Sequence, residues 1–272
     1  MLQQTQVSRV TNHYAGFIAA FPTPARLASA PLADVVRVWT GLGYNRRALN
    51  LHRTAAILVA RYAGGVPRDP AALLALPGVG AATAGAVMAF AFSLPSVFIE
   101  TNIRRAFIAE FFANTTIPVA DAALLPLVAA TLDRRNPRRW YYALMDYGAA
   151  LGRNGDNANR ASAHYARQRP FQGSTRQLRG AVIRQLTQVD SATLEELAEG
   201  CARVAHRATP GEHVAAVVDQ LVREGFLVRI GTSVAAFCIT KAASAADADG
   251  ARSSGVPVPA TDIPDRPSVT GP

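Results

Sequence analysis

The sequence predicts an all-α domain over residues 1–152, a smaller α/β unit over 176–240 and a disordered tail over 241–272, with a loop at 153–175 joining the first two. Three observations carry this. From Gln3 to Gly152 apolar residues recur at spacings of three and four, without strand-like alternation. Alternation is confined to Phe226–Phe237, around a Gly-Thr-Ser turn. From Ala242 the chain is Ala, Ser, Asp, Gly and Pro, which cannot bury enough apolar surface to order itself.

Taken in order, Val7, Val10, Tyr14, Phe17, Ile18 and Phe21 form one helical face, which Phe21-Pro22-Thr23-Pro24 ends. Leu49, Ala56, Ile57 and Ala60 mark a later helix. Asp69-Pro70 and Asn136-Pro137 each set a capping side chain before a proline at the first helical position. Residues 153–175 are polar, Gly- and Asn-rich and aperiodic, hence a loop. Beyond them lie helices at Arg176–Val189, from Ala192-Thr193-Leu194 onward and at Gly211–Glu224, then the hairpin, which is the order of a winged helix-turn-helix.

Composition narrows the function. Half of the residues are hydrophobic, enough for a sizeable core. Two cysteines, Cys201 and Cys238, exclude a disulfide framework and a four-cysteine cluster. With His206 and His213 they fit no standard zinc spacing, so no metal site is expected. No apolar run reaches the roughly 18 residues of a membrane span, and the polar start lacks the regions of a signal peptide. A cytoplasmic chain of bacterial type, associated with the nucleoid and not with membranes, is expected. The net charge is +9, and its excess sits in residues 1–175, with eighteen arginines against eight acids, whereas residues 176–240 balance at seven each. A polyanion, nucleic acid first, should bind the first part; a GC-biased genome, rich in arginine codons, is the competing account. The sole lysine is Lys241, which excludes mechanisms needing a buried lysine.

Three segments carry chemistry. Leu76-Pro77-Gly78-Val79-Gly80, with small residues behind it, has the signature of a helix-hairpin-helix. Its glycines permit positive φ and close approach, and the next helix offers free N–H groups to a phosphate. Glu100 precedes Thr101-Asn102 and an apolar-periodic helix capped by Asn102; dipole and cap should keep it ionised, able to stabilise a developing cation. Trp39-Thr40-Gly41-Leu42-Gly43-Tyr44-Asn45-Arg46-Arg47 could place Tyr44 as a wedge in a duplex, with Arg46 and Arg47 clamping phosphates. Trp140, Tyr141 and Tyr142 read as core and Asp146 as a structural hydrogen-bond acceptor.

Met1-Leu2-Gln3-Gln4-Thr5-Gln6-Val7, Trp39–Tyr44, Leu76–Gly80 and Met145-Asp146-Tyr147-Gly148, in this order and spacing, resemble the MutY-type adenine DNA glycosylases of the endonuclease III superfamily, over residues 1 to about 152. The resemblance implies a helix-hairpin-helix glycosylase domain of two helical subdomains flanking a DNA groove. Such enzymes flip adenine opposite 8-oxoguanine or guanine from the duplex and hydrolyse its N-glycosidic bond. By motif, Gln3, Gln4 and Thr5 lie at the strand opening, Tyr44 is the wedge, and Gly78, Val79 and Gly80 grip phosphate. Glu100 takes the catalytic carboxylate position, although the family carries Asp there. The family's general-acid glutamate lies just upstream of the Met-Leu-Gln-Gln motif, so an upstream reading frame with a Ser-Glu is expected. Its four cluster cysteines should follow Gly148 but are absent between Gly152 and Arg169, which implies a cluster-lacking variant, with Asn157, Asn159, Arg160, His164 and Tyr165 holding the loop by hydrogen bonds. No cofactor is expected, with a monovalent cation at the Leu76–Gly80 hairpin as the one alternative. Ala82 stands where bifunctional relatives carry a Schiff-base lysine, so hydrolysis without lyase activity is implied. The partner is double-stranded DNA with a mispair or lesion, bound by a monomer. A glycosylase for mismatched thymine, uracil or a damaged base, and a catalytically inactive DNA-binding protein, remain open alternatives.

Overall fold

The computed structural model describes residues 1–155, 157–167, 170–205, 211–231 and 236–240. The expected tail at 241–272, His206 and the hairpin's Thr232-Ser233 turn lie outside the described residues. Four helices come first, α1 (Val7–Ala20), α2 (Pro24–Ser29), α3 (Leu32–Trp39) and α4 (Arg46–Tyr62). A short α5 (Pro70–Leu74) leads through the Pro-Gly turn into α6 (Ala81–Ala86), which runs on as a π-helical turn at Val87–Ala91. Then come α7 (Thr101–Phe111), α8 (Asp121–Thr131) and α9 (Pro137–Arg153), followed by a 3-10 turn at Ala158–Ala161.

The proline boundaries behave as predicted at α5, where the Asp69 carboxylate accepts from the Ala72 N–H at 2.7 Å. At α9 they do not: Asn136 makes no side-chain cap bond, and Asp133 Oδ1 instead accepts from the N–H groups of Arg135 and Asn136. An aspartate three residues ahead thus turns the chain into the helix, and proline supplies the φ.

The C-terminal unit is α10 (Thr175–Leu186), β1 (Ala192–Thr193), α11 (Leu194–Ala205), α12 (Gly211–Arg223), β2 (Leu227–Ile230) and β3 (Ala236–Ile239). Its antiparallel sheet has the order β1-β3-β2, with Ala192 opposite Phe237 and Leu227 opposite Ile239. This is the arrangement of a winged helix. The two-residue β1 is too short to show alternation in the sequence.

Burial ties these parts together. Phe17, Leu32, Val35, Val36, Trp39 and Leu49 from α1–α4 form one continuous buried cluster with Val182, Leu197, Val218, Leu221 and Phe226 of the winged helix. Two polar ties span the same join: Arg37 Nη2 donates to the Thr187 carbonyl at 3.0 Å and Arg53 Nη2 to the Glu224 carbonyl at 3.1 Å. A second cluster, with Phe98, Ile103, Phe107, Leu124 and Tyr141, lies between α7, α8 and α9, and a third, with Leu58, Leu73, Leu76 and Met88, lies beneath the Pro-Gly turn. Among the described residues, no helix is long and apolar enough to cross a membrane.

Candidate active site

The amino-terminal turn, the Gly-rich turn and the Pro-Gly hairpin meet. Gln3 and Gln4 are exposed and Thr5 half-buried. The Gln3 side-chain amide donates to Thr83 Oγ1 on α6, and Thr5 Oγ1 donates to the Leu42 carbonyl at 3.1 Å. Arg47 is the centre of this assembly. Its Nη1 donates to the carbonyls of Met1 and Gln3, and its Nη2 to Thr5 Oγ1 and to the carbonyls of Leu42 and Gly43. The guanidinium also lies over the rings of Trp39 and Tyr44, 5.3 and 5.8 Å from their centroids. Through these donors the planar guanidinium ties the turns together; of the pair expected at phosphates, Arg46 is exposed and Arg47 half-buried. Tyr44 itself is exposed, at φ +48, with its hydroxyl 3.3 Å from Arg176 Nη1.

The hairpin has the geometry its residues predict. Gly78 sits at φ +74, and a Cβ there would lie 2.4 Å from Asn50 Nδ2, so turn and packing both exclude a side chain. Gly78, Gly80 and Ala82 are exposed, whereas Val79 is half-buried against the third core cluster. Ala81 opens α6, whose first-turn N–H groups have no intrahelical acceptor.

Glu100 heads α7 and caps it. Its Oε1 accepts from the N–H groups of Asn102 (2.7 Å) and Ile103 (2.8 Å), while Oε2 lies 3.5 Å from Asn102 Nδ2. The cap is therefore Glu100 and not Asn102, because the longer carboxylate reaches both orphan donors of the first turn. The expected electrostatics also changes. Burial is the largest influence on the carboxyl and raises its pKa above the ordinary glutamate value, against the two backbone N–H groups and the arginines Arg104 and Arg105.

Backbone-close contacts fix this helix end from three sides. On α6, Gly85 lies against Phe98, where a Cβ would come within 2.6 Å of the phenylalanine's own Cβ. On α9, Gly148 faces the Asn102 carbonyl, 2.1 Å from where a Cβ would stand. Arg105 Nη1 bonds both the Asn102 Oδ1 (3.0 Å) and the Gly148 carbonyl (2.7 Å). From the 3-10 turn, buried Asn159 donates Nδ2 to the Thr101 carbonyl at 2.9 Å. Tyr141 stacks on Phe98, donates its hydroxyl to the Ser96 carbonyl at 2.6 Å, and has its phenol pushed up to about 12 by burial.

The segment after α9 cannot hold a four-thiolate cluster: it contains no cysteine, and Cys201 and Cys238 are buried in the winged helix. It closes by backbone pairing, Val119 N–H to the Ala161 carbonyl and Ala163 N–H to the Val119 carbonyl, at 2.7 and 2.9 Å. Of the five side chains expected to hold it, Asn159 makes the tie; Asn157 is half-buried, and Arg160, His164 and Tyr165 are exposed. Among the described residues, no group of three or more His, Cys, Asp and Glu side chains could hold a metal ion. Tyr141 is core as expected, but Tyr142 is exposed, and Asp146, expected to accept a structural hydrogen bond, is exposed and accepts none among the described residues. Thr83 and Arg105 escaped the sequence reading because each acts through a partner far away in the chain, Gln3 and Gly148 respectively.

A family model described as HhH-GPD superfamily base excision DNA repair protein matches residues 1–149. The chain belongs to this superfamily. The HhH-GPD match thus contains the Gln3–Thr5 turn, Tyr44, the Gly78–Gly80 hairpin and Glu100, and ends before the winged helix. Among similar proteins, the adenine DNA glycosylase of Mycolicibacterium smegmatis is 39% identical over 158 residues, covering 51% of this chain and 54% of that protein. That of Buchnera aphidicola subsp. Baizongia pistaciae is 36% identical over 151 residues, 56% of this chain and 43% of the relative. The human adenine DNA glycosylase is 35% identical over 154 residues, 56% and 28%. The chain spans about half or less of the length of these relatives.

Proposed function

We propose that this HhH-GPD protein is a DNA glycosylase that hydrolyses the N-glycosidic bond of adenine mispaired with 8-oxoguanine or guanine. The observation that carries the reading is the Glu100 carboxylate, half-buried at the head of α7 with one oxygen held by two backbone N–H groups. The likeness to three proteins named adenine DNA glycosylase supports the choice of base. In this reading the hairpin N–H groups bind a backbone phosphate, Tyr44 and the Gln3–Thr5 turn occupy the gap left by the flipped nucleotide, and the sugar comes to Glu100. As the bond between C1′ and the base breaks, positive charge grows on the sugar ring. A fixed, desolvated carboxylate stabilises that charge more strongly than water would. The electron pair of the broken bond leaves with the base, which takes up one proton from solvent, while water adds at C1′ and gives one proton back to solvent, so the net reaction is hydrolysis. The only lysine is Lys241 and Ala82 holds the α6 position of interest, which supports hydrolysis without strand cleavage by a lysine Schiff base.

The test is a cleavage assay on duplexes with A:8-oxoguanine, A:G, T:G and U:G, each run with and without alkali. Abasic product from the adenine duplexes, with strand breaks only after alkali, is expected. Product from T:G or U:G alone would replace the substrate. A catalytically silent DNA-binding protein is the second reading, favoured by the use of Glu100 Oε1 as a helix cap; it predicts tight binding and no abasic product from any duplex.

A further inference from the structure

The end of α7 opposite Glu100 carries an apolar cleft that the proposed reaction does not use. Phe107 and Phe111 of α7 and Trp140, Leu144 and Tyr147 of α9 line a space of about 260 Å³. Phe107 and Phe111 stack on one another, and Phe111 is exposed. The carboxylate on the wall, Glu110, accepts the Tyr147 hydroxyl, so it is already engaged. Such a space is smaller than the roughly 300–1,000 Å³ of a cofactor site and suits a single large side chain.

Arginines gather at one end of this cleft. Thr131, the last residue of α8, lines it, and the turn that follows carries Arg134 and Arg135, after which α9 adds Arg138 and Arg139. Arg138 donates to the Ala91 carbonyl at 3.2 Å. Arg139 stands one helical turn before Ala143, which lines the cleft, and Ala143 one turn before Tyr147, so these three share a row of α9. Arg134, Arg135 and Arg139 are exposed, and among the described residues their guanidinium groups make no hydrogen bond or ion pair. The neighbouring Asp133 carboxylate accepts from the backbone N–H groups of Arg135 and Asn136. Cations at the start of a helix oppose its dipole, so the cluster does not serve α9.

An aromatic socket beside unpaired guanidinium groups complements an acidic peptide. A DNA backbone would meet the arginines and leave the socket empty. We propose that the cleft between α7 and α9 docks an acidic peptide segment of a partner protein, with one large apolar side chain in the socket and carboxylates on Arg134, Arg135 and Arg139. Guanidinium and carboxylate pair through two parallel hydrogen bonds, and a buried apolar anchor supplies most of the energy of such an interface. The eleven residues of α7 span about 16 Å, which sets the peptide and a duplex at Glu100 at opposite ends of one helix.

The test is fluorescence anisotropy of the full chain with a labelled peptide that carries one tryptophan between runs of glutamate. Binding should weaken about tenfold on Arg139→Glu, on Ala143→Glu, and when the peptide's tryptophan is replaced by alanine, and it should fall with salt. Arg223→Glu, the same charge change on α12, should leave it unchanged. Equal binding of the alanine peptide, or binding untouched by Ala143→Glu, would refute the cleft as the docking site. A short A:8-oxoguanine duplex, saturating in a Glu100→Gln background, should not displace the peptide; displacement overturns the proposal, whereas a chain that binds the peptide and no duplex keeps the cleft and loses the glycosylase reading. An oligothymidylate that displaces the peptide and binds more tightly would make the arginines a nucleic-acid surface, and self-association that excludes the peptide, seen by sedimentation, would make the cleft an interface between copies. Either result overturns the proposal.

Discussion

The Glu100 carboxylate caps α7, the proposed function gives it a second, catalytic duty, and the two can be separated. As a cap it needs an oxygen that accepts hydrogen bonds from Asn102 and Ile103; as a catalyst it needs a negative charge. Glu100→Gln keeps the acceptor and removes the charge. Glycosylase activity should therefore disappear while affinity for a mispaired duplex is retained, which a cleavage assay beside a binding titration measures. Stability follows from the direction of the pKa. A carboxyl raised in the folded protein prefers its neutral form there, so its charge costs stability above the folded pKa, a cost relieved as pH falls. The glutamine variant should accordingly melt at the same temperature as the parent or higher at pH 7. In the parent, kcat should fall on acidification through an apparent pKa above the ordinary glutamate value of 4.5, because catalysis needs the ionised form. An acid limb at or below that value would remove burial as the main influence on this group.

At the scale of elements, the decisive contact is α9 against the first turn of α7. Gly148→Ala would place a Cβ on the Asn102 carbonyl, a clash with backbone that no rotamer relieves. A loss of about 1–3 kcal/mol by chemical denaturation is expected, with a larger fractional loss of kcat than of affinity, since the shift is delivered at Glu100. Asn159→Ala should act on the same helix end from the other side, with a smaller effect on stability and the same bias toward kcat. This contact also shows what could be read in advance. The helix periodicity, the Asp69-Pro70 boundary, the hairpin and the Glu100 position are local signals, each written within a few residues. The α10 to β3 order was equally visible, as three periodic runs and one alternating run. What could not be read was pairing at a distance: Gly85 with Phe98, Gly148 with Asn102, Asn159 with Thr101. The bonds of Arg47 could not be read for the same reason, since an arginine beside a Gly-rich turn looks identical in sequence whether five oxygens or a phosphate await it. The π-helical turn at Val87–Ala91 has no sequence signature of its own.

At the scale of the whole molecule, the cores do not follow chain order. Residues of α1–α4 share one buried cluster with the winged helix, while α7–α9 enclose another. The two tryptophans report on them separately, Trp39 from inside the first cluster and Trp140 from the edge of the second. Leu221→Ala, at a fully buried position on α12, should cost about 2–5 kcal/mol. In a Trp140→Phe background that loss should appear in Trp39 fluorescence, although Leu221 is distant from Trp39 in the chain. A Trp39 transition unmoved by this change would mean that the winged helix unfolds independently.

The approach of Gly148 to Asn102 is between main chains, and main chains are common to every sequence. Side chains around such a contact can be exchanged over evolutionary time without moving the carboxylate it supports, provided the one glycine stays. The geometry at Glu100 thus hangs on a main-chain contact that substitutions across most of the helix surface leave in place.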